Sequence, residues 1–221
     1  MPRLARVVIP GLPHHITQRG NRRQRTFFHD GDYRLYLRLL AEWCEHHEVA
    51  IWAWCLMPNH VHLVAVPSRP EALAAAFGEA HRRYSRHINQ RHDWRGFLWQ
   101  GRFSSCPMDE RHLLMAVRYV ELNPVRAGLV ARPELWPWSS VHAHLRGSGD
   151  GLCTLAPMRD RIADWPTFLG AGLSDDDLEA LRVHARTGRP LGDDAFVERL
   201  EAETGRLLRP ARGGRPRRSR D

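Results

Sequence analysis

The chain contains no lysine; all 33 of its basic side chains are arginine. Taken alone, that absence is what a GC-rich genome produces. Cysteine is sparse. Cys44, Cys55, Cys106 and Cys153 are too widely spaced for any CxxC pair, which argues against a zinc ribbon or a redox motif. Free thiols in a reducing cytoplasm are the reading that remains. No apolar run approaches the roughly 20 residues a membrane helix needs, so no membrane partner is expected. The opening Met1-Pro2-Arg3-Leu4-Ala5-Arg6 lacks the apolar stretch of a signal peptide. No internal repeat is visible.

What is present is ordinary in bulk and uneven in distribution. The 221 residues, 43 % of them hydrophobic, can bury a core without disulfides. The net charge of +8 is concentrated at the two ends. Residues 1–25 carry six arginines and no acid, and residues 205–221 carry seven arginines and one aspartate. The span 26–204 sums to about −4. Guanidinium forks bind phosphate oxygens in pairs, so such ends suit nucleic acid.

Apolar periodicity predicts a β-α-β-β-α-β order. A first strand covers His14 to Gln18. The arginine-dense loop Arg19 to Arg25 follows, and there Gly20 permits close backbone approach. Arg19, Asn21 and Arg22 are its candidate DNA contacts. A helix from Asp30 to Glu48 takes Asp30 or Asp32 as its cap and buries Tyr33 and Tyr36. Val49–Met57 and His60–Val66 form a hairpin about Pro58-Asn59. It is apolar on both faces and is therefore expected in the middle of its sheet. Pro70 to His92 is a second helix. Its Arg82, Arg83, Arg86 and Arg91 form a basic face, either solvated or lining a DNA groove. Arg95 to Ser105 reads as the fourth strand, with Gln100 and Arg102 on one side as DNA-contact candidates. Asp109 caps a helix that ends at Asn123, before Pro124. Arg126 follows it and is a further DNA-contact candidate. The fold class is α+β: a ferredoxin-like antiparallel sheet with helices on one face.

The expected organisation is a main domain over 1–146, a linker and packing segment over 147–172, and a helical appendage over 173–204. That appendage either reads DNA or simply packs. A disordered arginine-rich tail covers 205–221. Its Gly214-Arg215-Pro216-Arg217 core is similar to minor-groove hooks.

Two short patterns carry chemistry. His60 and His62 lie two apart in a strand, so both imidazoles leave one face. Tyr119 and Asn123 lie four apart in a helix, so they too share a face. Two imidazoles and an amide oxygen suit a divalent metal, with a phenol beside it.

His60-Val61-His62 has the His-hydrophobe-His form of the HUH endonucleases, and Tyr119 with Asn123 has the Tyr-x-x-x-Asn form of their single-tyrosine transposases. The surroundings match as well: Thr17-Gln18-Arg19-Gly20-Asn21, Met57-Pro58-Asn59, Trp99-Gln100-x-Arg102-Phe103 and Asn123-Pro124-Val125-Arg126-Ala127-Gly128-Leu129. The chain thus resembles the REP-associated tyrosine transposases of the HUH superfamily. The likeness covers residues 7 to about 145. It implies an HUH endonuclease core with Mg²⁺ or Mn²⁺ held by His60, His62 and Asn123, and with Tyr119 as the nucleophile that takes the 5′ phosphate. It also implies single-stranded DNA beside palindromic hairpins as substrate, and action as monomer or homodimer in the cytoplasm. An ordinary phenol is protonated at neutral pH, so a metal or a base must assist the attack. The sequence names no such base. The rival readings are a domesticated nucleic-acid-binding protein without strand transfer and a metal-dependent phosphodiesterase that uses water.

Overall fold

The computed structural model describes residues 5–210. Its centre is one antiparallel sheet of β1 (His14–Arg19), β2 (Val49–Met57), β3 (His60–Pro67) and β4 (Ser104–Pro107), in the order β2-β3-β1-β4. The ferredoxin-like topology expected from the sequence is therefore present. Helices α1 (Asp30–His46) and α2 (Ala72–His92) pack together over one face, and α3 (Glu110–Arg126) covers the other. Alternation along β3 explains the two layers. Val61, Leu63 and Ala65 join the core under α1 and α2. His60, His62 and Val64 leave the opposite face, and Val64 packs with α3.

The hairpin is not central. β2 is an edge strand, and both its faces are apolar because coil covers its free edge. Leu56 N donates to Trp138 O at 2.9 Å, Ser140 N to Trp54 O at 2.9 Å and Thr154 N to Ile51 O at 2.7 Å. A register shift between Ile51 and Ala53 also breaks the expected alternation. Ile51 joins Trp54 and Leu56 in the first core, while Trp52 turns to the second.

The fourth strand begins nine residues later than its apolar pattern implied, at Ser104 rather than Arg95. Gly96 and Gly101 take left-handed backbone (φ 95 and 68), and only Trp99 pairs, with Gly20. Asp109 caps α3 as expected, accepting from His112 N at 2.9 Å. The helix then runs past Asn123, with Pro124 inside its last turn. At α1 the cap is His29, and Asp32 serves as the third residue of a capping box. Asp32 is fully buried and paired with Arg91, so one arginine of the α2 basic face braces α1. Arg82 pairs with Glu79, and the whole face lies in the layer opposite His60 and His62.

After α3 come α4 (Val141–Arg146), α5 (Ala156–Arg159) and α6 (Trp165–Gly170). α4 and α6 are tied to α3 by one buried carboxylate. Glu121 accepts from His144 Nδ1 at 2.6 Å, Ser140 Oγ at 2.7 Å and Trp165 Nε1 at 2.8 Å. Helices α7 (Asp175–Thr187) and α8 (Asp194–Thr204) follow. α7 packs on β1, β4 and α3. α8 closes a small third core in which Phe196, Leu200 and Leu208 meet Val7 and Ile9. The chain therefore stays packed beyond residue 205; the Gly214-Arg215-Pro216-Arg217 segment lies outside the described residues. The four cysteines are free thiols, and no described helix is long and apolar enough to cross a membrane.

Candidate functional site

The site forms where β3 and β1 run side by side beneath α3. Register places His62 opposite Thr17 and His60 opposite Arg19, and Thr17 is opposite Ser104 on β4. Directly paired residues share a face, so these side chains make a common floor. α3 lays Tyr119 onto it. The Tyr119 ring stands edge-on to His62 with centroids 5.2 Å apart, and His60 and His62 are 5.0 Å apart, also edge-on. Asn123, one turn on, is buried. The four residues singled out by spacing thus converge from the β2–β3 hairpin and a distant helix of the same chain.

Hydrogen bonding settles which His60 nitrogen is free. Asn59 Nδ2 donates to Arg23 O at 2.9 Å, so its Oδ1 faces His60 and accepts from Nδ1–H at 2.6 Å. Nε2 then keeps its lone pair. Burial, aided by Arg19, pushes the His60 imidazole down to about 4, partly offset by the Asn123 side chain. His62 is held well below the ordinary histidine range by burial and then by His60, His15, Arg19 and Arg126. Both rings are therefore neutral at pH 7, the state a metal requires. Among the described residues no group of three or more His, Cys, Asp or Glu is placed to hold a metal ion. A cation here would draw on two imidazoles, the Asn123 amide and oxygens from substrate or water.

One member of the site was not among the sequence candidates. His15 on β1 stacks on His62 at 5.3 Å, its Nε2 lies 3.1 Å from His62 Nδ1, and its ring is 5.8 Å from Tyr119. Burial lowers its pKa to about 4, and its Nδ1 is buried without a hydrogen-bond partner. The signal was present in the paired His14-His15, whose rings alternation sends to opposite faces. His14 goes to an internal bond with Leu12 O, and His15 goes to the site.

The His pair and Tyr119 open on a cleft of about 560 Å³. Of the DNA-contact candidates, Arg19, Gln100 and Arg102 line it. Asn21 and Arg22 do not; the left-handed turn at Arg22 and Arg23 brings Arg23 into the cleft instead. Arg126 lies over the Tyr119 ring, its guanidinium carbon 4.9 Å from the centroid. Gly20 does allow close approach, but to protein: a Cβ there would fall 2.3 Å from Gln24 O. The other three tyrosines are core residues. The Tyr36 hydroxyl bonds His81 at 2.8 Å, the Tyr84 hydroxyl bonds Thr26 O at 2.6 Å, and Tyr33 stacks on Trp138.

A family model described as "Transposase IS200 like" matches residues 9–123, just over half of the chain. Two curated proteins are similar. One, from Haemophilus influenzae, is assigned as a REP-associated tyrosine transposase and is 26% identical over 114 residues, covering 47% of this chain and 65% of its own length. The other, a REP-associated tyrosine transposase of Escherichia coli, is 25% identical over 91 residues, covering 41% of this chain and 53% of its own. The chain thus spans between about half and two thirds of the relatives it matches. A solved structure of a REP-associated tyrosine transposase bound to a REP hairpin superposes with a TM-score of 0.58 at 22% identity, covering 70% of this chain and 92% of that one. At that identity the likeness is one of fold.

Proposed function

The chain belongs to the IS200-like transposase family, and on that premise we propose that it cleaves and rejoins single-stranded DNA beside hairpin repeats through a phosphotyrosine bond. The observation that carries this reading is the meeting of Tyr119 with the His60–His62 pair, at 5.2 Å between the Tyr119 and His62 rings, in an arginine-lined cleft.

The Tyr119 phenol gives up its proton to solvent and its oxygen attacks the scissile phosphorus. The new bond joins that oxygen to the 5′ phosphate, the bond to the 3′ oxygen breaks, and the 3′ oxygen takes a proton to leave as a hydroxyl. The phosphodiester energy stays in the protein–DNA bond, so a 3′ hydroxyl can attack it and rejoin strands without a nucleotide triphosphate. When bound by His60, His62 and Asn123, Mg²⁺ or Mn²⁺ would polarise the phosphate. Arg126, over the Tyr119 ring, and Arg19, opposite His60, meet the negative charge that develops on the phosphate. Tyr119 works with the His pair of its own chain, so a monomer suffices.

The test is a denaturing gel of protein incubated with a labelled stem-loop oligonucleotide and Mn²⁺. A shifted covalent band that Tyr119→Phe abolishes is expected. Free cleaved ends without an adduct mean that water is the nucleophile, and intact DNA means a binding protein.

A further inference from the structure

One wall of the cleft lies outside residues 9–123. It is the face of α7 that carries Leu181, Arg182, Ala185 and Arg186. Leu181 is fully buried in the same core as Tyr119 and anchors the helix there. The end of α7 is fixed too. Gly188 caps it in the left-handed region (φ 72), and Leu191 then runs parallel to Met108 at the end of β4. Leu191 N donates to Pro107 O at 2.8 Å and Asp109 N to Leu191 O at 3.1 Å. Arg182 and Arg186, one turn apart, are thereby held along one side of the cleft.

Their electrostatic setting is one-signed. Arg19, Arg23, Arg102, Arg182 and Arg186 line the cleft, and no carboxylate does. The acidic neighbour of Arg182 is Glu179, 3.8 Å away, with both side chains more than half exposed, a contact of little worth in water. Five like charges around one opening repel one another until an anion enters. The arginines sit on both sides of the floor: Arg19, Arg23 and Arg102 on the sheet side, Arg182 and Arg186 on the helix side.

We propose that α7 is a backbone clamp: Arg182 and Arg186 bind successive phosphates of the single strand that lies in the cleft. This deepens the DNA-cleaving reading and rests on it. Phosphate contacts of this kind position a strand without reading its sequence, so the clamp sets affinity and register rather than target choice.

The experiment measures binding of full-length protein, in chelator, to oligothymidylate of roughly 20 nucleotides and to a blunt stem-loop, across a salt series. For Arg182→Ala/Arg186→Ala, oligothymidylate affinity should fall roughly tenfold at about 0.1 M salt. The slope of log affinity against log salt should flatten by about 1.4, the value for two single-strand phosphates. Blunt stem-loop binding should not change. A control, Arg34→Ala/Arg199→Ala, removes two exposed arginines outside the cleft and should leave the slope as it was. An unchanged slope in the α7 variant, or an equal loss in the control, overturns the clamp. If wild type forms a tyrosine adduct while the slope is unchanged, only the clamp fails; if wild type forms no adduct, the cleavage reading fails first.

Discussion

What an imidazole can ligate depends on what its other nitrogen holds. His60 has Asn59 Oδ1 on Nδ1, and His62 has His15 on Nδ1. His15→Ala should therefore lower Mn²⁺ affinity roughly tenfold in calorimetric titration while leaving the circular dichroism spectrum intact. Equal affinity would show that His15 only fills space. Glu121 is the other residue whose loss is expensive, because His144, Ser140 and Trp165 would all be left with buried unpaired donors. Glu121→Ala should cost about 3 kcal/mol, a fall in Tm of roughly 6–12 °C by calorimetry. A fall of under about 2 °C would mean that water replaces the carboxylate. Periods of two and four placed His60 with His62 and Tyr119 with Asn123 on common faces, and the family resemblance, not the spacing, implied that the two pairs meet. His15 was not, because its partner lies on another strand and only the β1–β3 register brings them together.

At the scale of elements, close backbone approach decides more than propensity. Gly20 sits where the loop after β1 crosses the β2–β3 turn, and its N donates to Asn59 O at 2.8 Å. A methyl group there would meet the Gln24 carbonyl, so Gly20→Ala should destabilise by roughly 2 kcal/mol in urea unfolding. A loss within about 0.5 kcal/mol would show that the loop yields freely. The same dependence on neighbours explains what the sequence pattern misplaced. β2 read as central because the 136–140 and 151–154 segments cover its edge, and apolar composition cannot tell coil cover from a neighbouring strand. Residues 95–103 read as a strand because their apolar residues alternate, yet Gly96 and Gly101 turn the backbone left-handed. The basic face of α2 left a solvated face and a DNA groove both open, because nothing local shows that Asp32 and Glu79 neutralise part of it. The arginine wall of α7 was equally hidden, since its docking depends on Leu181 and Leu191, far along the chain from the sheet they reach.

For the whole molecule, buried neutral histidines set the acid limit. Burial pushes His14 down to about 4 and His81 to about 3. Each has an internal partner: His14 Nδ1–H donates to Leu12 O, and His81 Nε2 lies 2.8 Å from the Tyr36 hydroxyl. Unfolded, both titrate near the usual histidine value of about 6.5. Below that pH the unfolded chain binds more protons than the folded one. Their contribution is therefore complete above about pH 6.5 and is lost as pH falls toward 4. In chelator, Tm at pH 5 should lie at least about 5 °C below Tm at pH 7.5. Equal values would contradict neutral burial.

The same layered architecture isolates one phenol from the other three. Tyr33, Tyr36 and Tyr84 lie in the core beneath α1 and α2, while Tyr119 lines the cleft. The most direct measurement is mass spectrometry of the protein after reaction with a stem-loop oligonucleotide, nuclease trimming and trypsin digestion. The added nucleotide mass should fall on the peptide 119–126, released between Arg118 and Arg126. Nucleotide on any other tyrosine peptide, or cleaved DNA with no modified peptide, would contradict the assignment of Tyr119 as the group that bonds to DNA.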